Sequence, residues 1–398
     1  MTNLPQGWEV KKLEEIVNIK GGKRLPKGEN LLDNNTKFAY IRVADFQDNG
    51  TINLQNIKFI NENTYNVLKN YKIYDDNLYI SIAGTIGKSG IIPKELNGAI
   101  LTENAVKLEY IQNNISNKFM YFFTLSNIFK TQIQTSTKIV AQPKLAITRL
   151  KQIQIPLPPL KEQERIVGIL DESFAKIDES IKILEQDLLN LDELMQSALQ
   201  KAFNPLKDNA KENYKLPQSW EWKSLEEISE NISAGGDKPK NCTESKTAKN
   251  QIPVYANGVN NNGLVGYTDK ATIIKPSLTI SARGTIGFVC IRKEPYFPIV
   301  RLISLIPCEN ILCLHYLYFC LNFFIAKGEG SSIPQLTIPK FKSLQIPLPP
   351  LKEQEQIAEH LDFVFEKAKA LKELYTKELK DYEELKQSLL DKAFKGEL

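Results

Sequence analysis

Gln154-Ile155-Pro156-Leu157-Pro158-Pro159-Leu160-Lys161-Glu162-Gln163-Glu164 returns without a change at 345–355, 191 positions later. Each copy sets a stiff proline run ahead of a stretch with helical apolar spacing. Proline cannot extend a helix backward, and carboxylates just beyond it sit favourably at the positive helix end. Each copy therefore predicts the start of a long helix. In the first, Ile166, Leu170, Phe174, Ile177, Ile181, Leu184, Leu188, Leu191, Met195 and Ala198 recur in steps of three and four, the seam of a coiled coil. Pro205 closes it. The second seam reads Ile357, Leu361, Phe365, Ala368, Leu371, Tyr375, Leu379, Tyr382, Leu385 and Leu389; it is less regular, and Lys372 and Lys386 intrude on it.

Working outward, the rest of the chain is also written twice. Leu4-Pro5-Gln6-Gly7-Trp8-Glu9 returns as Leu216-Pro217-Gln218-Ser219-Trp220-Glu221, at an offset of 212. Gly84-Thr85-Ile86-Gly87 returns as Gly284-Thr285-Ile286-Gly287, at an offset of 200. From the proline run to Ala202-Phe203 and Ala393-Phe394 the offset stays at 191. The spacers thus keep one length while the globular segments differ by 21 residues. Two long copies are not a solenoid, which stacks several short units. The division is 1–154, globular; 155–203, helical; 204–345, globular; 346–398, helical. Strand-like runs 38–46, 76–92 and 105–111, short apolar helices at 116–130 and 314–327, and the alternation of 278–291 make both globular segments α+β. If the second segment receives and delivers the chain on one side, the helices pair antiparallel with the heads at opposite ends, related by an approximate two-fold axis.

Charge follows the same division. Residues 1–154 carry 20 Lys/Arg against 13 Asp/Glu, 155–203 carry 5 against 10, 204–345 carry 17 against 12, and 346–398 carry 9 against 12. Basic heads alternate with acidic spacers, which favours a polyanion at the heads over a purely structural scaffold. The five cysteines show no CxxC pair and, with only His315 and His360 beside them, read as buried free thiols rather than a zinc site. No apolar run is long enough for a membrane span and the start lacks a signal-peptide core, so a cytoplasmic protein is expected.

Motifs for catalysis are missing. Lys88-Ser89 after the first Gly-Thr-Ile-Gly looks like the end of a phosphate-binding loop, but its first glycine would fall at Ile82, and Phe288 stands where Lys88 would recur. A glycine-bounded turn between strands remains, which can bring backbone N–H groups, Lys88 or Arg283 to a phosphate. Lys23 and Arg24, like Lys238 and Lys240, follow glycine pairs and suit the same task. The polar loops holding Lys138 and Gln142, and Ser331 and Gln335, suit hydrogen bonding to bases, as do Asn257 and Asn260. Tyr121, Phe122, Tyr318 and Phe319 read as core rather than as a stacking platform. No nucleophile elbow, HExxH, nucleotide-binding loop or methyltransferase tetrapeptide is present, and no cofactor is expected.

With the doubled Ile-Pro-Leu-Pro-Pro-Leu-Lys-Glu-Gln-Glu opening a helix in each half, Leu-Pro-x-x-Trp at each head and the Gly-Thr-Ile-Gly turns, the chain resembles the DNA-specificity subunits of type I restriction–modification systems over its whole length. The resemblance implies a non-catalytic subunit with two target-recognition domains, each reading one half of a split site in double-stranded DNA. It implies helices that fix the gap and dock two methyltransferase subunits, with restriction/translocase subunits joining in the full complex. The acidic corners Glu162, Glu164, Glu353 and Glu355 are the expected partner contacts. A self-sufficient methyltransferase or nuclease is the competing reading, opposed by the missing motifs.

Overall fold

The computed structural model describes residues 4–112, 114–136, 144–203, 217–325, 328–329 and 336–398. The chain divides into two compact units, Met1–Leu184 with Thr376–Leu398, and Glu185–Tyr375. The two long helices run Leu160–Phe203 and Leu351–Ala393, and each contributes to both units. They begin later than the proline runs. Gln154–Leu157 is a strand, paired antiparallel with Glu9–Lys12, and Gln345–Leu348 pairs likewise with Glu221–Ser224. Each head is thus closed by a ribbon between its first strand and its last, and the helix starts at the residue after the third proline of the run.

In the first unit a four-stranded antiparallel sheet has the order Val17–Gly21, Ala105–Tyr110, Leu78–Ser81, Ser89–Ile91. A second sheet runs Lys58–Phe59, Ala39–Ile41, Ala99–Leu101, Lys72–Ile73, with its central pair parallel. The strand expected through residue 46 stops at Ile41. There Asp45 accepts hydrogen bonds from the Arg42 backbone N–H (2.8 Å) and Nε (3.0 Å), folding 43–45 into a 3-10 turn. The expected single helix over 116–130 is two, Asn117–Leu125 and Asn127–Ser136. Ser126 breaks it by donating to Phe123 O (2.7 Å) and accepting from Phe129 N–H (3.3 Å).

The second unit repeats the plan. Ser229–Ala234, Ile303–Pro307, Ser277–Ile280 and Val289–Arg292 form the four-stranded sheet. Leu264–Thr268, Ile252–Tyr255 and Phe297–Pro298 form the smaller one, with Ile252–Tyr255 and Phe297–Pro298 parallel. Helix Leu314–Phe324 lies on the sheet with Phe319 buried, as Phe122 is in the first unit, so the aromatic stripes are core. Cys320 is buried; the other four cysteines are only half-buried, because their strand or loop positions leave an edge open.

Each core is completed by the far end of a long helix. Phe394 lies 5.1 Å from Phe119 and 5.5 Å from Phe123, ring centre to ring centre, in the first unit; Phe203 lies 5.5 Å from Tyr316 in the second. Within the first unit Arg165 donates to Leu398 O (2.7 Å) while Asp178 pairs with Lys386, so one helix ascends as the other descends. In the second unit Asp192 pairs with Lys372, and Leu199 and Leu361 share the core. The helices are antiparallel in each. Leu371 and Leu385, expected on the seam, are 39% and 45% exposed, and Lys372 and Lys386 take their places. With that one-residue rotation the three-four alternation from Leu361 to Ala393 is unbroken: Phe365, Ala368, Lys372, Tyr375, Leu379, Tyr382, Lys386, Leu389. The lysine stems cover the seam while their ammonium groups reach carboxylates of the opposite helix.

Candidate nucleic-acid interface

In each head a tight turn follows the second strand of the parallel pair and carries the chain back into the four-stranded sheet. In the first it is Thr102–Ala105: Thr102 N–H donates to Ile41 O (3.0 Å), Ala105 N–H to Thr102 O (3.2 Å), and Gly22 N–H to Ala105 O (3.0 Å). In the second it is Ile299–Leu302, with the matching bonds Ile299 N–H to Tyr255 O (2.8 Å), Leu302 N–H to Ile299 O (3.1 Å) and Gly235 N–H to Leu302 O (2.8 Å). Glycine is needed at both partners, since a Cβ would fall 2.0 Å from Thr102 O at Gly22 and 2.6 Å from Ile299 N at Gly235. The Gly-Thr-Ile-Gly segments are hairpin turns beside these: Gly87 N–H donates to Ser81 O (2.9 Å) and Gly287 N–H to Ser281 O (3.0 Å). Glycine pairs, turn and hairpin therefore form one surface in each head.

The turns differ in hand. Val300 (φ 54°) and Arg301 (φ 60°) are both left-handed, whereas Glu103 and Asn104 are not. For L-residues that conformation costs roughly 1–2 kcal/mol each, and a β-branched valine tolerates it poorly. Several bonds hold it. Val300 N–H donates to Gly236 O and Arg301 N–H to Gly235 O, both at 2.8 Å, and Asn257 Nδ2 donates to Val300 O (2.6 Å). In the first head Asn104 O accepts from Ile82 N–H (2.8 Å); in the second the equivalent Ala282 N–H goes to Asn257 Oδ1 (2.8 Å). Asn257 thus spends both ends of its amide on backbone and ties the reversed turn to the hairpin.

Electrostatics separate the heads further. In the first, Arg24 Nε lies 2.7 Å from Glu103 Oε1, and Lys88 Nζ lies 2.8 Å from the exposed Asp48. Partial burial pushes the Glu103 carboxyl up, but hydrogen bonds from Arg24 and Thr102 and the Arg24 charge hold it below the usual carboxylate value. Lys23 is exposed, with its ammonium 5.9 Å from the Tyr71 ring centre. In the second head Lys238, Lys240, Asn260, Arg283 and Arg301 are exposed, and the side chains of Lys238, Lys240 and Arg301 have no hydrogen bond or ion pair among the described residues. Asn260 opens a turn in which Asn261 and Asn262 are also left-handed. Beneath it the buried Arg292 donates to Asn262 O and to Thr279 Oγ1 (3.0 Å), its guanidinium 3.5 Å from the Tyr255 ring centre.

The structure therefore brings Lys23, Arg24 and the Lys88 hairpin together in one head, and Lys238, Asn257, Asn260 and Arg283 in the other. Lys138, Gln142, Ser331 and Gln335 lie outside the described residues. The residues that follow them return to the same hairpins: Leu145 N–H donates to Ile82 O (2.9 Å) and Leu336 N–H to Ala282 O (3.2 Å).

At the spacer corners Glu164 and Glu355 are exposed, while Glu162 pairs with Arg165 (2.8 Å) and Glu353 accepts from Trp220 Nε1 (3.0 Å). Sequence reasoning missed the glutamine between each pair. Gln163 is 1% exposed; it accepts from Ser116 N–H (2.9 Å) and donates to Asn114 O (3.1 Å) and Pro158 O (2.9 Å). Gln354, wholly buried, makes the same three contacts with Cys313, Ile311 and Pro349, each at 2.8 Å. Arg292 and Arg301 were missed too; the exact repetition of Gln163 was a usable signal, whereas nothing local marks Arg301.

A duplicated α+β frame carries two differing loop surfaces, each joined to long helices. A family model, the type I restriction modification DNA specificity domain, matches residues 5–188 and 217–380, and the chain belongs to that family. It is a non-catalytic DNA-specificity subunit that assembles with other subunits of a restriction–modification system. A type I specificity subunit of Mycoplasma pneumoniae is 29% identical over 88% of this chain and 87% of its own length. The MjaX specificity subunit of Methanocaldococcus jannaschii is 24% identical over 99% and 94%. Among solved structures, one titled for complex assembly and conformational transition of the type I system matches with a TM-score of 0.83 at 20% identity, covering 100% of both chains. The HsdS subunit from Thermoanaerobacter tengcongensis matches with 0.61 at 21% identity, over 100% of this chain and 98% of that one. No helix among the described residues is long and apolar enough to cross a membrane.

Proposed function

We propose that the two heads, 1–154 and 204–345, each read one half of a split, asymmetric site in double-stranded DNA. The long helices set the gap between the halves and dock two methyltransferase subunits, and restriction/translocase subunits join the full complex in the cytoplasm. The observation that carries this reading is the pairing of one hydrogen-bond frame with two unlike surfaces. A protein reading a palindrome gains from two like surfaces, and here even the hand of the central turn differs. Lys23, Arg24, Lys88, Lys238, Lys240 and Arg283 serve the phosphate backbone and Asn260 the base edges, with Asn257 holding its loop; Lys138, Gln142, Ser331 and Gln335 complete the surfaces.

For the helices, the support is net negative charge, which repels DNA, together with exposed apolar side chains. Ile183 (56%), Leu189 (58%), Leu194 (52%), Phe363 (60%) and Leu374 (56%) face outward, as a protein-binding surface requires. Because Glu162 and Glu353 already have partners within the chain, Glu164 and Glu355 are the freer contacts. A genome-wide map of methylated bases, with and without this chain, tests the function. A two-part non-palindromic motif that disappears with the chain is expected; a palindrome, or an unchanged map, overturns it. Reversing Glu164 and Glu355 to lysine should weaken methyltransferase association and leave the motif intact.

A further inference from the structure

We propose that Arg301 is a base-reading residue of the second head, specific for a guanine in the major groove, and that Asn257 is the residue that positions it. This rests on the reading that the head binds DNA. Arg301 is exposed and its side chain has no partner among the described residues, though it stands on a turn with two successive left-handed residues. Two successive left-handed non-glycine residues persist only where their surroundings over-determine them, and such strain collects where a side chain must be aimed. Here five hydrogen bonds fix the turn: two to the glycine pair, one from Asn257, one within the turn and one from Gly235 to Leu302. Nothing in the fold demands this hand, because the first head closes the same strand pair with a turn that lacks it. What the reversal changes is the direction of the side chains at 300 and 301. It sets an exposed arginine on a turn bonded to Gly236, two residues before Lys238, and tied through Asn257 to Ala282, next to Arg283; both cations suit flanking phosphates. A planar guanidinium matches the N7 and O6 acceptors of guanine, the commonest specific contact in the major groove.

The test uses the full complex, with methylome mapping in cells and binding of defined duplexes. Arg301→Ala should relax one G·C position within the half-site assigned to the second head, lowering discrimination there about 5- to 150-fold, with the other half unchanged. Arg301→Lys, which keeps the charge and loses the fork, should relax the same position. Asn257→Ala should relax it too, and Arg301→Ala/Asn257→Ala should be no worse than Arg301→Ala alone, whereas a merely structural asparagine would reduce occupancy at every sequence alike. If Arg301→Ala lowers affinity evenly for all sequences and only flattens the salt dependence, Arg301 is a phosphate contact and the proposal fails. If the wild-type complex shows no two-part motif at all, the underlying function fails instead, so the two failures are distinguishable.

Discussion

The turn Thr102–Ala105 and the turn Ile299–Leu302 solve one problem in two ways. Both return the chain from a parallel strand pair, and both are stitched to a glycine whose missing Cβ lets the backbones touch. In the first, the second turn position carries the half-buried Glu103, which pairs with Arg24; in the second, the next position carries the exposed Arg301, whose side chain pairs with nothing among the described residues. The frame is thus held by backbone bonds that tolerate any side chain, and the surface is left free to differ. That separation is what the proposed reading by two independent heads requires.

The two heads share their frame at the core. Phe394 and Phe203 occupy equivalent places, each fully buried among aromatic rings of a different unit. Truncating either to alanine should cost about 3–5 kcal/mol. The loss should be local. Hydrogen exchange should show Phe394→Ala loosening the sheet of residues 17–110, and Phe203→Ala that of residues 229–307. If either variant loosens both sheets equally, the units are not independent and the comparison breaks.

Next in size are the corner glutamines. Gln163→Met and Gln354→Met keep length and apolar bulk but strip one acceptor and two donors from backbone groups of which the Pro158 and Pro349 carbonyls are buried. Each unsatisfied group costs about 1–3 kcal/mol, so each variant should lower the unfolding midpoint of its own unit by a similar amount. Markedly unequal losses would mean that the two corners are alike in geometry only. The smaller drop would then mark the corner where solvent can replace the glutamine.

Much of this frame was legible in the sequence because repetition at a fixed offset needs no knowledge of packing. The proline runs, the helix lengths and the hairpins at Gly84–Gly87 and Gly284–Gly287 all came from it. The seam of the second helix did not. Leu371 and Leu385 looked like core by residue type, yet a one-residue rotation puts Lys372 and Lys386 against Asp192 and Asp178, and only the partner helix reveals that choice. The proposed recognition surface shows in the sequence only as loops and cations. Which cations are already neutralised does not show, because Arg24 meets Glu103 across 79 positions of chain. The left-handed turn at Val300-Arg301 was invisible for a related reason: valine and arginine disfavour it, and the bonds that enforce it come from Gly235, Gly236 and Asn257.

If the heads differ in how their cations are masked, then unmasking Arg24 should make the first head behave more like the second. Glu103 is held below the usual carboxylate value, so it is ionised at neutral pH and its pairing with Arg24 is intact. A depressed carboxylate contributes stability above its unfolded-state value and loses it as pH falls through the folded one. Because the Arg24 end is open to solvent and screened, that contribution is small. Glu103→Gln removes the charge at neutral pH while leaving the shape. Thermal stability should barely move, and its acid dependence should flatten slightly. DNA affinity should respond more, since a freed guanidinium that reaches a phosphate adds about 0.9 to the slope of log affinity against log salt. The recognised bases should stay the same. Arg24→Ala should abolish the gain in the Glu103→Gln background and, in the wild type, remove the smaller share of the slope that the paired Arg24 contributes. An unaltered salt slope in Glu103→Gln would mean that Arg24 points away from the duplex, and that only the second head reads through an unmasked arginine at this turn.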